Sequence, residues 1–199
     1  MSARVVTPRG TIDVTMPLVG RGNLANVLAA TAVALEFEVP PAIVAARASR
    51  LTAASHRGEV LRLRAGVTLV DDSYNANPTA TLRALDVLVQ TSAVRRVAIL
   101  GEMLELGGRS TALHEDVGQA VAARRIDLLY TIGEAPAAAM AEATVRAGMG
   151  RTSVRHFDTS EEAAEDSAAT IRSGDVVLVK GSRGVKTDRV VERLKAERG

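Results

Sequence analysis

The chain has 199 residues and a formal net charge of only +2; 47% of it is hydrophobic, 2% is aromatic and there is no cysteine. That length suits one domain, or one and a half, with a core of Ala, Val, Leu and Ile. The missing cysteines exclude a disulfide framework and a thiolate metal site. The arginines are scattered among acids, with no basic stripe interleaved with aromatics, so nucleic-acid binding is not expected. The N-terminus MSARVVTPRG has no apolar h-region, and no apolar run is long enough to span a bilayer. A cytoplasmic protein without membrane insertion is the expectation.

In chain order, residues 4–16 read as two strands around a turn at Pro8-Arg9-Gly10, and Pro17 argues against a buried central strand. Asn23 to Glu36 reads as a helix with an apolar stripe of Leu24, Val27, Leu28 and Leu35, and with Asn23 as its N-cap. Pro40-Pro41 interrupts, and Ala42 to Leu51 reads as a second helix. This is too little sheet for an independent α/β domain, so the segment reads as the tail of a larger one. Ser55 to Glu59 is the best boundary.

Beyond it the pattern changes. Val60 to Leu63 and Val67 to Val70 flank Ala65-Gly66 as a hairpin. Strands at Val97–Leu100, Leu128–Ile132, near Val154 and at Val176–Val179 then alternate with helices at Thr111–Arg124, Pro136–Ala147, Ser160–Ile171 and Lys186–Lys195. Ser160 reads as the N-cap of the third of these helices. Such alternation predicts right-handed βαβ units. The expected class is α/β: a Rossmann-like, mostly parallel sheet with helices on both faces, preceded by a partial α+β segment.

Three loops fall at the carboxyl ends of predicted strands, where open α/β sheets bind ligands. Asp71-Asp72-Ser73-Tyr74-Asn75-Ala76-Asn77-Pro78 joins a strand to a helix that Pro78 begins and Asn77 caps; Asp71 there reads equally well as a solvated strand-end carboxylate. Gly101 to Gly107 places Glu102 and Glu105 around Met103-Leu104. Lys180-Gly181-Ser182-Arg183-Gly184 joins glycine-rich backbone to two cations and reads as an anion site. Gly20-Arg21-Gly22-Asn23-Leu24-Ala25 matches a dinucleotide fingerprint formally, but no βαβ unit surrounds it and that reading is rejected. His114, an isolated histidine on a helix, reads as structural.

DDSYNANP closely resembles the signature of the Mur ligases, the ATP-dependent amino-acid ligases of peptidoglycan synthesis. LGEMLELG and LVKGSRG match further family elements in the same order, and GRGNLANVLAA resembles another, with Gly22 where the family has His. The resemblance implies that residues 1–55 are the C-terminal remnant of a central ATP-binding domain and residues 56–199 the family's C-terminal domain. It assigns Asn23 and Asn26 to the adenine of ATP, Arg57 to its ribose and phosphates, and Asp72 to the ribose hydroxyls. Asn75, Asn77, Glu102, Lys180, Ser182 and Arg183 fall to the acceptor substrate.

The implied partners are a UDP-N-acetylmuramoyl-peptide and D-alanyl-D-alanine, together with the family's N-terminal and central domains. In the family, ATP phosphorylates the peptide carboxylate and the acceptor amine attacks the acyl phosphate. A P-loop is needed, yet Lys180, Lys186 and Lys195 follow Val179, Val185 and Leu194 rather than glycine. The isolated chain is therefore expected to be inactive, with the Mg²⁺ ligands in the missing part and no catalytic or metal-binding residue assigned here. The alternatives are another Mur-type or polyglutamate-type ligase, or a non-catalytic domain that binds nucleotide or a partner.

Overall fold

Unbroken runs of Val, Ile and Leu make strands that are buried on both faces, and alternating runs make strands buried on one. Both kinds occur in the computed structural model, which describes residues 1–199 and divides into two compact units, 1–54 and 55–199.

The first unit carries an antiparallel hairpin, β1 (Ser2–Thr7) and β2 (Gly10–Thr15), in register from Ser2 opposite Thr15 to Thr7 opposite Gly10. Helices α1 (Arg21–Glu36) and α2 (Pro41–Ala48) follow. Ile12, Val14 and Met16 pack with Val27, Leu35 and Ala48. Alternation along β2 puts Ile12 and Val14 inside and Thr11, Asp13 and Thr15 outside. Helix α1 begins two residues earlier than expected. Gly20 is its N-cap, and Asn23, already inside the first turn, donates from Nδ2 to the Val19 carbonyl at 2.8 Å.

The second unit is a six-stranded sheet. Its strands are β3 (Glu59–Arg62), β4 (Thr68–Asp72), β5 (Arg95–Gly101), β6 (Leu128–Ile132), β7 (Val154–Phe157) and β8 (Asp175–Lys180), in spatial order β3-β4-β8-β5-β6-β7. Only β3 is antiparallel to its neighbour. Successive strand residues feed opposite faces. Leu69, Ile99, Tyr130 and Val177 join Ala163 and Ile171, at α6 (Ser160–Thr170), and Val190 and Leu194 of α7 (Asp188–Arg198). Val70, Ala98, Leu129 and Leu178 join Leu85 and Leu88 of α3 (Pro78–Gln90), Val117 and Val121 of α4 (Ser110–Ala123), and Met140 of α5 (Ala135–Arg146). This is the mostly parallel, two-faced architecture the alternation predicts.

One helix cap and one helix start differ from expectation here. Thr159, not Ser160, caps α6 by accepting from Glu162 N, while Ser160 Oγ donates to the Val185 carbonyl at 2.7 Å. Helix α7 begins at Asp188 because Lys186 takes a left-handed conformation, φ 61°, after a short 3₁₀ turn over Arg183–Val185.

Strand β8 is last in sequence but lies between β4 and β5. The order in which the chain lays down strands across the sheet therefore reverses there, and the loops after β4, β8 and β5 lie side by side at the strands' carboxyl ends, where open α/β sheets bind ligands. The opposite ends of β5 and β8 are locked by Arg95, whose Nε and Nη2 reach the buried Asp175 carboxylate at 2.9 and 2.6 Å.

Candidate functional site

The carboxyl end of β4 delivers Asp71 and Asp72 in succession, so the two carboxylates diverge. Asp72 lies opposite Lys180 in the parallel register of β4 and β8. Lys180 Nζ donates to Asp72 Oδ2 at 2.6 Å and to the Asn75 carbonyl at 2.9 Å. The Lys180 side chain is 4% exposed and that of Asp72 24%. Burial raises the Asp72 carboxyl above its ordinary pKa, against the opposing pull of Lys180 and Arg57, and the neighbouring Asp71 adds to the rise. Only Oδ2 of Asp72 is engaged within the protein, so Oδ1 is free to accept from a ligand.

Asp71 is 2% exposed, which corrects its reading as a solvated carboxylate. Its Oδ2 lies 2.8 Å from His56 Nδ1, and its Oδ1 accepts from Ser73 Oγ at 2.6 Å and Ser73 N at 3.2 Å. Tyr74 N donates to the His56 carbonyl, and the Arg57 guanidinium lies 4.0 Å from the centroid of the Tyr74 ring. The short segment 56–57 is thereby brought onto the β4 loop.

The loop after β5 is pinned from three sides. His114 is fully buried; its Nε2 accepts from Met103 N at 2.9 Å, so the ring proton sits on Nδ1, which donates to the Ser110 carbonyl at 2.7 Å. Its structural reading is thereby supported. Ser182 Oγ accepts from Leu104 N at 2.9 Å and donates to the Ala76 carbonyl at 3.4 Å, joining all three loops. Glu102 Oε2 accepts from Glu134 N at the start of α5. That carboxylate lies over Gly133, φ 133°, where a Cβ would come within 2.7 Å of it. Close approach also governs Gly181: a Cβ there would sit 2.6 Å from Thr187 Cγ2 and 3.1 Å from Gly101 Cα.

The structure thus brings Arg57, Asp72, Asn75, Lys180 and Ser182 to one end of the sheet. It does not leave Lys180 and Arg183 as a pair of free cations. Lys180 is engaged by Asp72, and the Arg183 side chain, 62% exposed, reaches Asp188 at 2.8 Å. The parallel register, which the sequence does not show, placed Lys180 beside a carboxylate. Asn77 Oδ1 caps α3 by accepting from Ala80 N at 2.8 Å, whereas Asn75 Oδ1 accepts from Ala76 N and leaves its Nδ2 free. Asn23 and Asn26 belong to the first unit, on α1, with Asn26 exposed. His56, Ser73 and Tyr74 joined no expected site. Tyr74 and Ser73 lay within the recognised loop, but nothing local marks His56 as their partner. No group of three or more His, Cys, Asp or Glu side chains is arranged to hold a metal ion.

Residues 56–183 match the family described as "Mur ligase, glutamate ligase domain". The chain belongs to the Mur ligase family. Its match to the UDP-N-acetylmuramoyl-tripeptide–D-alanyl-D-alanine ligase of Escherichia coli is 34% identical over 190 residues, 94% of this chain and 40% of that one. Among solved structures, MurF from Acinetobacter baumannii superposes with a TM-score of 0.86 at 28% identity, covering 98% of this chain and 42% of that one. The MurF ligase of Thermotoga maritima in complex with ADP gives 0.80 at 28% identity, covering 98% and 43%. The region matched is the C-terminal one, and the chain spans about 40% of the length of the curated relatives it matches. No helix is long and apolar enough to cross a membrane.

Proposed function

We propose that this chain is the acceptor-side portion of an ATP-dependent ligase that joins D-alanyl-D-alanine to UDP-N-acetylmuramoyl-tripeptide in the cytoplasm, during peptidoglycan synthesis. The observation that carries the reading is the match of almost the whole chain to ligases of that name. In this reading residues 1–55 complete a central ATP-binding domain and residues 56–199 are the C-terminal domain.

The residues at the sheet's carboxyl end fit an adenosine nucleotide. Asp72, held through Oδ2 by Lys180, offers Oδ1 to the ribose hydroxyls. Arg57, backed by Tyr74, supplies an always-charged guanidinium for ribose or phosphate oxygens. In the first unit, taken by itself, Asn23 and Asn26 of α1 carry amides that both donate and accept, the chemistry an adenine edge requires. Mg²⁺ accompanying ATP takes its ligands from outside these 199 residues.

On the acceptor side, the exposed Arg183 is the cation for the dipeptide carboxylate, which it meets by giving up or sharing its surface pair with Asp188. Asn75 adds a free amide, and Glu102 and Ser182 shape the wall through the loops they tie together. Lys180 acts on the nucleotide side, by orienting Asp72, rather than on the dipeptide. ATP activates the peptide carboxylate as an acyl phosphate; the dipeptide amine attacks its carbonyl carbon and phosphate leaves.

The test is an in-frame fusion of this chain behind the missing part of the Escherichia coli relative, assayed with UDP-N-acetylmuramoyl-tripeptide, ATP and either D-alanyl-D-alanine or single amino acids. Pentapeptide product with the dipeptide alone is expected, and Arg183→Ala raises the dipeptide KM roughly ten- to a hundred-fold, far more than the ATP KM. A folded fusion that ligates a single amino acid and rejects the dipeptide would overturn the reading.

A further inference from the structure

His56 stands apart from the rest of the site. It is not a nucleotide or acceptor contact in the reading above, and it occupies an unfavourable backbone conformation, φ 62°. A left-handed conformation costs an L-residue roughly 1–2 kcal/mol. Glycine would relieve it, and the next glycine, Gly58, lies two residues on at φ 73°. A side chain kept in such a place must make a contact that glycine cannot.

The contact is to a buried acid. Asp71 Oδ2 takes His56 Nδ1 at 2.8 Å while Oδ1 takes both Ser73 groups. Ser73 Oγ also lies 3.3 Å from the same ring nitrogen. With Asp71 an acceptor, Nδ1 carries the proton. Because Ser73 Oγ gives its own hydrogen to Asp71, it meets Nδ1 as a secondary acceptor. Serine and aspartate both sit on the Nδ1 side of the ring. No serine hydroxyl therefore faces Nε2, and this is no Ser–His–Asp hydrolase arrangement. The backbone makes a second tie, from Tyr74 N to the His56 carbonyl at 3.1 Å.

These ties join the segment ahead of β3 to the loop behind β4 at the positions flanking Arg57 and Tyr74. A surface arginine lying on a tyrosine gains only about 0.5–1 kcal/mol, too little to fix a side chain with so many rotamers. Arg57 needs its backbone placed, and His56 is the residue that places it. We propose that His56 is a positioning residue: clamped by Asp71 and Ser73, it holds Arg57 over Tyr74 so that the guanidinium is presented in place beside Asp72. The part of this that concerns ligand rests on the nucleotide reading; the clamp itself does not.

Two measurements on the full 199-residue chain test it. The first is ligand-free: the Tyr74 ring current shifts the Arg57 side-chain protons upfield in the NMR spectrum, with Tyr74→Phe and Tyr74→Ala as references. His56→Gly removes the ring but suits the backbone; His56→Asn suits the backbone and can still bond Asp71. The expected result is that the upfield shift collapses in His56→Gly and is largely restored in His56→Asn, with both chains remaining folded. A merely structural histidine would leave the shift in place in every folded variant. An unchanged shift in a folded His56→Gly chain overturns the proposal, and so does failure of His56→Asn to restore it. The second measurement is an ADP titration of the same variants. Affinity should fall about tenfold in His56→Gly and recover in His56→Asn. Absence of any ADP binding by the wild type would count against the nucleotide reading, while the ring-current result would still decide the clamp.

Discussion

Removing the Lys180 ammonium, as in Lys180→Met, strips Asp72 of its closest counter-charge and the Asn75 carbonyl of a donor. Methionine keeps the length of the apolar stem, so the change is mainly one of charge. Breaking a buried pair from one side costs about 3–5 kcal/mol, because the remaining charge stays desolvated. Asp72 retains some exposure and has Arg57 nearby, which favours the lower end, about 3 kcal/mol. For a chain of this size, roughly 2–4 °C per kcal/mol gives a fall in Tm of about 6–12 °C near neutral pH. The pH dependence has a definite sign. A carboxyl whose folded pKa is raised above its unfolded value favours the folded state below the unfolded pKa, and that contribution is lost as pH rises through the folded pKa. Without Lys180 the Asp72 pKa climbs further, so the deficit of Lys180→Met is greatest near neutral pH and shrinks in acid. Asp72→Asn combined with Lys180→Met should recover part of the loss, since neither charge is then stranded. Urea unfolding and thermal melts of the four proteins, followed by circular dichroism at two pH values, measure all of this. A Lys180→Met chain within about 0.5 kcal/mol of wild type, or single-variant losses that simply add, would refute the reasoning.

Three further outcomes are expected. His114→Ala leaves Met103 N–H without its acceptor, so hydrogen exchange at Met103 and Leu104 should quicken by about ten- to a hundred-fold, with the β8 amides little changed. Burial, together with the hydrogen bond to Asp166, pushes the Tyr130 phenol up to about 12; in a Tyr74→Phe chain the ultraviolet titration of the remaining tyrosine should centre there, and stability should decline as pH rises from the unfolded value toward it. The 199-residue chain alone, given ATP and both proposed substrates, should make no pentapeptide: no P-loop lysine is present to stabilise the transferring phosphoryl group, and product from this chain by itself would overturn that expectation.

Local patterns determined the elements of this protein and much of the candidate site. Val67–Val70 and Val176–Val179 are unbroken β-branched and aliphatic runs, and they became buried strands within two residues of where the pattern put them. Asn77-Pro78 announced a helix start because a cap and a fixed φ are properties of neighbours in sequence. The three loops of the candidate site were legible for the same reason: turns write their chemistry in adjacent residues. What local pattern does not carry is which strands become neighbours. Packing decided that β8 lies between β4 and β5, and this put Lys180 opposite Asp72, turning a presumed free cation into half of an ion pair. The same holds for His56, which reaches Asp71 across 15 residues of chain, and for Ser182, which bridges loops 78 and 106 residues away. A side chain's electrostatic role depends on distances of a few ångströms, and for residues far apart in the chain only the folded sheet sets those distances.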